Sequence, residues 1–100
     1  LQTQINLPEE ALFAFCQQHP VRKLSLFGSI LSEDFDDQSD VDVLIEFEPD
    51  AKVGYFELVG MQNELSEIFG REVDLLTPAS LSRYFRQHVL NTAQVIYEKS

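Results

Sequence analysis

Two aspartates, Asp40 and Asp42, stand two positions apart in the run Asp40-Val41-Asp42-Val43-Leu44-Ile45. Side chains two apart on an extended strand share one face, which leaves ~6–7 Å between their backbone positions. Two carboxylates so placed can grip a hard divalent cation through oxygen. A third, Asp74, lies in Val73-Asp74-Leu75-Leu76, and Gly28-Ser29 closes an earlier apolar run. A helical turn starting at Gly28 would aim backbone N–H groups and the Ser29 hydroxyl at a phosphate, and glycine lets the backbone come close to it. If Asp40, Asp42 and Asp74 share one patch they repel one another, and magnesium would relieve the repulsion. With two ions, such a patch could polarise an α-phosphate, activate an attacking hydroxyl and stabilise leaving pyrophosphate. Asp74 is placed to be the base or to hold the ion on the nucleophile side.

The elements that must position these residues are legible in the hydrophobic pattern. Pro8-Glu9-Glu10 reads as a helix start, Leu12, Phe15 and Cys16 as its buried stripe, and His19-Pro20 as its stop. Val21 to Phe27 is a short strand ending at Gly28-Ser29, and a polar, acidic connection follows. From Asp40 to Phe47 the chain alternates strictly. Val41, Val43, Ile45 and Phe47 point one way, while Asp40, Asp42, Leu44 and Glu46 point the other. Tyr55 to Phe69 places Phe56, Leu58, Val59, Met61, Leu65, Ile68 and Phe69 on a broad helical face, with Gly70 just past its end. Glu72 to Leu76 is a third strand, and a last helix is expected from about Ala79 to Glu98, carrying Leu81, Phe85, Val89 and Ile96.

This order predicts an α+β fold, a small mixed sheet with helices on one face and the other face open. Antiparallel pairing of the first two strands would bring Ser29 beside Asp40 and Asp42. The helical connection between the second and third strands implies parallel pairing and would bring Asp74 level with them.

Composition narrows the function. At 100 residues the chain supports one core, so residues 1–100 are expected to form a single domain. No apolar run is long enough to span a bilayer and no signal-type segment opens the chain, which reads as cytoplasmic, with no membrane partner. Cys16, the single cysteine, reads as a core residue. With 17 acidic against 7 basic residues the net charge is -10, which opposes stable nucleic-acid binding and suits a basic protein partner or a metal-bridged anion.

Gly28-Ser29, ten residues, Asp40-Val41-Asp42 and the later Val73-Asp74-Leu75-Leu76 together resemble the DNA polymerase beta-like nucleotidyltransferases, and within them the MNT antitoxins. The resemblance spans about residues 24 to 97. It implies a palm-like core, two Mg2+ ions at Asp40, Asp42 and Asp74, phosphate contacts from Gly28 and Ser29, and ATP as donor. It also implies a HEPN-type ribonuclease toxin as partner, silenced by AMP placed on a tyrosine. Family members often follow glycine-serine with a small residue, arginine and glycine, where this chain has Ile30-Leu31-Ser32-Glu33. Templated polymerisation is not expected, since these 100 residues carry no finger or template-binding domain.

Other features have plainer readings. The nine acids from Glu33 to Asp50 form a solvated surface apart from Asp40 and Asp42. His19 and His88 have no ligands paired at metal spacing and read as solvent or packing residues, and Arg83 and Arg86 as solvated. Tyr55, Phe56, Phe69, Tyr84, Phe85 and Tyr97, at helical spacings, read as core rather than as a base-stacking platform. Two functions are consistent with the whole. One is a protein-modifying nucleotidyltransferase, favoured by the three acids, and the other an antitoxin that acts by binding alone, favoured by the altered loop.

Overall fold

The structure is a computed structural model that describes residues 7–31, 36 and 38–99. Ser32 and Glu33, the second half of the altered loop, lie outside the described residues. The order is α1 (Glu9–Gln18), β1 (Val21–Phe27), a 3-10 turn (Gly28–Leu31), β2 (Val41–Phe47), α2 (Tyr55–Phe69), β3 (Val73–Leu76), a second 3-10 turn (Pro78–Ser80), α3 (Arg86–Thr92) and β4 (Gln94–Glu98). The strands form one sheet in the order β3-β2-β1-β4. β1 pairs antiparallel with β2 and with β4, and β2 pairs parallel with β3, so the sheet is mixed as its connections require.

The main core lies between the sheet and the two long helices. Leu12, Phe15 and Cys16 of α1 and Met61 and Leu65 of α2 pack on Leu24, Leu26, Val41, Val43, Ile45, Val73 and Leu75. Burying one such side chain stabilises the fold by about 1.5–3 kcal/mol, so this layer supplies most of the driving force. Cys16 belongs to it, and burial pushes its thiol up to about 11, which keeps it protonated and inert.

The second face is only partly open, which corrects the sequence reading. Leu44 points away from its strand neighbours Val43 and Ile45 and joins Phe27, Leu81 and Val89 in a smaller cluster. The segment after β3 therefore covers the middle of that face and leaves its end to the carboxylates.

The last element departs most from expectation. In place of one helix from Ala79 to Glu98 the chain forms a 3-10 turn, the short α3 and then a strand. Leu81, Phe85 and Val89 do recur at helical spacing, but Val95-Ile96-Tyr97 is a β-branched and aromatic run that favours extended backbone. Its register partners on β1 are Ser25 and Leu24, so β4 satisfies an edge of β1 that a helix would have left bare.

Four aromatics expected in the core are in solvent: Phe56 (89% exposed), Tyr84 (85%), Tyr55 (75%) and Phe85 (50%). At 3.6 residues per turn Phe56 lies opposite the Leu58, Met61, Leu65 and Ile68 stripe, so the buried face of α2 is narrower than the sequence suggested. Phe69 and Tyr97 do pack against the core.

The free edge of β3 is guarded by α2. The Val73 N–H donates to Ser66 Oγ at 3.1 Å and the Leu75 N–H to Gln62 Oε1 at 2.9 Å. Two helix side chains thus replace the missing neighbour strand and fix the backbone on both sides of Asp74. Truncating either to alanine strands a half-buried N–H, which we expect to cost ~1–2 kcal/mol. Urea unfolding of Ser66→Ala and Gln62→Ala should show a lower midpoint at unchanged slope. An unchanged midpoint in both would mean that water satisfies the edge equally well.

Candidate active site

The sheet register assembles the residues that the sequence singled out. Phe27, the last residue of β1, is the partner of Asp42, and Asp42 is the partner of Asp74 across the parallel β2–β3 pair. Adjacent strands lie ~4.8 Å apart, so the two aspartates occupy neighbouring rows on one face of the sheet. Asp40 precedes β2 directly and is exposed, as is Asp74, whereas Asp42 is half-buried. Gly28 turns away from β1 with φ +78°, in the left-handed region that favours glycine. A β-carbon there would run into Asp42 Oδ2, so conformation and space both require glycine. The 3-10 turn beginning at Gly28 carries the half-buried Ser29, and it is anchored by Ile30, which is fully buried in the main core.

The electrostatics follow from this packing. Burial first, then the charges of Asp74 and Asp40, raise the Asp42 carboxyl above its ordinary 3.8. Both neighbours thus act on Asp42 as like charges. Among the described residues, no group of three or more His, Cys, Asp or Glu side chains is placed to hold a metal ion together. Asp42 lies near enough to Asp74 on one side and Asp40 on the other to feel both charges, in an open arrangement. An open patch fits magnesium, which keeps several waters and is usually held by one or two carboxylates together with phosphate oxygens of the substrate. The donor set is all oxygen, and its unbalanced negative charge is what a cation would neutralise.

Sequence reasoning missed Arg71. Its Nη1 donates to the carbonyls of Ser39 at 2.9 Å and Asp36 at 3.1 Å, and so it braces the chain just before Asp40. The Val41 N–H donates to the Glu72 carbonyl at 2.9 Å, which ties the same stretch to the start of β3. A lone arginine directly after a helix-ending glycine carries no sequence signal for that role. The remaining readings are simpler. His19 Nε2 lies 3.1 Å from Glu64 Oε1 and links α1 to α2, while Arg83 stacks on Tyr84 in solvent with its guanidinium 5.2 Å from the ring centre.

Comparison with known proteins agrees with this geometry. The model of the nucleotidyltransferase domain family matches residues 9–96. A relative from Methanocaldococcus jannaschii, named for protein adenylyltransferase activity, is 33% identical over 89 residues, covering 89% of this chain and 94% of its own. Among solved structures, a chain of a toxin-antitoxin crystallised with AMP-PNP superposes with a TM-score of 0.75 at 18% identity, over 94% of this chain and 76% of its own. A chain of the complex between tri-AMPylated Shewanella oneidensis HEPN toxin and MNT antitoxin gives a TM-score of 0.66 at 17% identity, over 92% and 71%. At such identities the two structures establish the fold, and the family match and the archaeal relative establish the kinship. With a matching family model over most of its length and the Gly28, Asp42 and Asp74 constellation at one end of its sheet, this chain belongs to the nucleotidyltransferase domain family.

Proposed function

We propose that this chain is an antitoxin that transfers AMP from ATP to a tyrosine of a HEPN-type ribonuclease toxin and so silences it. The observation that carries the reading is the register that sets Asp42 beside Asp74 with Gly28 packed against the Asp42 carboxylate. The archaeal relative named for protein adenylyltransferase activity supports the reaction. The AMPylated HEPN toxin in the Shewanella complex supports the acceptor.

In this mechanism Gly28 and Ser29 bind the triphosphate through backbone N–H groups and the serine hydroxyl. Asp40, Asp42 and Asp74 would hold magnesium, which when bound supplies neutralisation of the phosphate charge. The acceptor oxygen forms a bond to the α-phosphorus as the bond from that phosphorus to the bridging oxygen breaks, and pyrophosphate leaves. The hydroxyl proton passes to the Asp74 carboxylate, which is exposed and can return it to water. Asp42, held against Gly28, sets where the α-phosphate can lie.

The altered loop supports a second reading, an antitoxin that neutralises by contact. Leu31, at the position of the family's arginine, packs against the core where an arginine would serve phosphate. Mass spectrometry of a HEPN toxin incubated with ATP, Mg2+ and the chain distinguishes the two. Wild type should add AMP increments, and Asp40→Asn combined with Asp42→Asn should add none while staying folded, since asparagine keeps size but not charge. Equal silencing by both proteins, with no mass change in either, would leave the binding-only reading standing.

Arg71 generates a separate expectation. Arg71→Ala should lower kcat by about tenfold, the lower end of what outer-layer partners of metal ligands are worth, and raise the Mg2+ concentration at half-maximal rate. Arg71→Lys should restore part of both, since an ammonium can still reach one carbonyl. A lower melting temperature with unchanged kcat and Mg2+ dependence would reduce Arg71 to a structural brace.

A further inference from the structure

A cavity of about 420 Å³ opens beside the Gly28 turn, lined by Phe27, Gly28, Leu31, His88, Val89 and Thr92. Its walls come from the end of β1, the turn and one side of α3. The volume lies within the ~300–1,000 Å³ range of small-molecule sites, and an apolar lining with a few polar groups is typical of them. Gly28 is common to this cavity and to the carboxylates, because it lies against Asp42 and also lines the cavity.

Resting on the nucleotidyltransferase reading above, we infer that this cavity receives the base of the nucleotide donor, with His88 and Thr92 as the residues that set its preference. A triphosphate lying along the Gly28–Ser29 backbone has its nucleoside within reach of the same turn. Among the cavity's residues, Phe27 and Val89 are buried, which makes the floor apolar, and His88 is exposed on α3 with an aromatic ring to offer a base. The Thr92 hydroxyl donates to the His88 carbonyl at 2.8 Å. Its donor is thereby committed, and its free lone pairs can only accept, which suits the exocyclic amine of adenine over the carbonyl of guanine. α3 thus has a function beyond carrying Val89 into the second cluster. The acceptor tyrosine is the other ring that could fit the cavity, but it must approach the α-phosphorus from the side opposite the leaving pyrophosphate. The shared Gly28 favours the donor.

Isothermal titration of the folded chain with Mg2+ and triphosphate probes, with no acceptor protein present, tests this without turnover. Inorganic triphosphate, base-free ribose triphosphate, AMP-PNP and GMP-PNP serve as probes. Wild type should bind AMP-PNP more tightly than the other three. His88→Ala should narrow the gap between AMP-PNP and ribose triphosphate by roughly tenfold, the scale of one lost base–aromatic contact, with triphosphate binding unchanged. Thr92→Val should equalise AMP-PNP and GMP-PNP, and Thr92→Phe, which fills the cavity from an exposed helix position, should weaken both. Circular dichroism checks that each variant is folded. Equal binding of AMP-PNP and ribose triphosphate by wild type, or an unchanged ratio in His88→Ala and Thr92→Phe, would overturn the proposal and leave the nucleotidyltransferase reading intact. A changed KM for the acceptor protein with unchanged AMP-PNP affinity would give the cavity to the acceptor and overturn it equally. Failure of wild type to bind any triphosphate would instead sink the reading on which it rests.

Discussion

The contact between the Gly28 backbone and the Asp42 carboxylate constrains the whole end of the sheet. Gly28 can approach only because it has no β-carbon and adopts φ +78°. Asp42 is consequently half-buried, between the turn on one side and the β3 row on the other. A carboxylate in that position loses hydration and feels Asp74 and Asp40 as well. Like charges are not held together for stability's sake. The arrangement becomes intelligible if a cation and a phosphate are part of the working state, since both interact favourably with what the isolated chain leaves unbalanced.

The fold supplies rigidity where that constraint needs it. β2 is an inner strand, paired on both sides, and carries Asp42 within regular backbone. β3 is an edge strand of four residues, and it is held by Ser66 and Gln62 from α2 in addition to β2. The loop before Asp40 has no strand to hold it, and there Arg71 takes over with two hydrogen bonds to carbonyl oxygens. A different device therefore holds each of the three carboxylates.

Much of this was legible in the sequence, and the reasons are local. The alternation from Val41 to Phe47 places Asp40 and Asp42 on the face opposite Val43 and Ile45, and the Tyr55–Phe69 helix between two strands implies the parallel pairing that aligns Asp74. What escaped was non-local. Strand β4 exists because β1 has a second edge to fill, and short-range periodicity that looked helpful to a helix up to Val89 could not reveal that demand. Leu44, set among acids on its face, gave no hint of the Phe27, Leu81 and Val89 cluster that covers it. Phe56 reads as core from its helical spacing, but the packed stripe of α2 is narrower and leaves it on the opposite, exposed side. Arg71 acts on main-chain carbonyls, which leave no pattern in side-chain identity.

The sign of the Asp42 effect offers the most direct test. With its folded value raised above 3.8, Asp42 stabilises the fold only while protonated, and that contribution is lost as pH rises through the raised value. At neutral pH and without cations the ionised group is a net liability, relieved if magnesium and a nucleotide occupy the proposed site. The deciding measurement is the melting temperature of wild type and Asp42→Asn at neutral pH, first in chelator and then with Mg2+ and AMP-PNP. The account predicts that Asp42→Asn melts higher in chelator and that ligand raises wild type by more, so the difference closes or reverses. Asp42→Asn melting no higher than wild type in chelator, with equal stabilisation of both by Mg2+ and AMP-PNP, would contradict it.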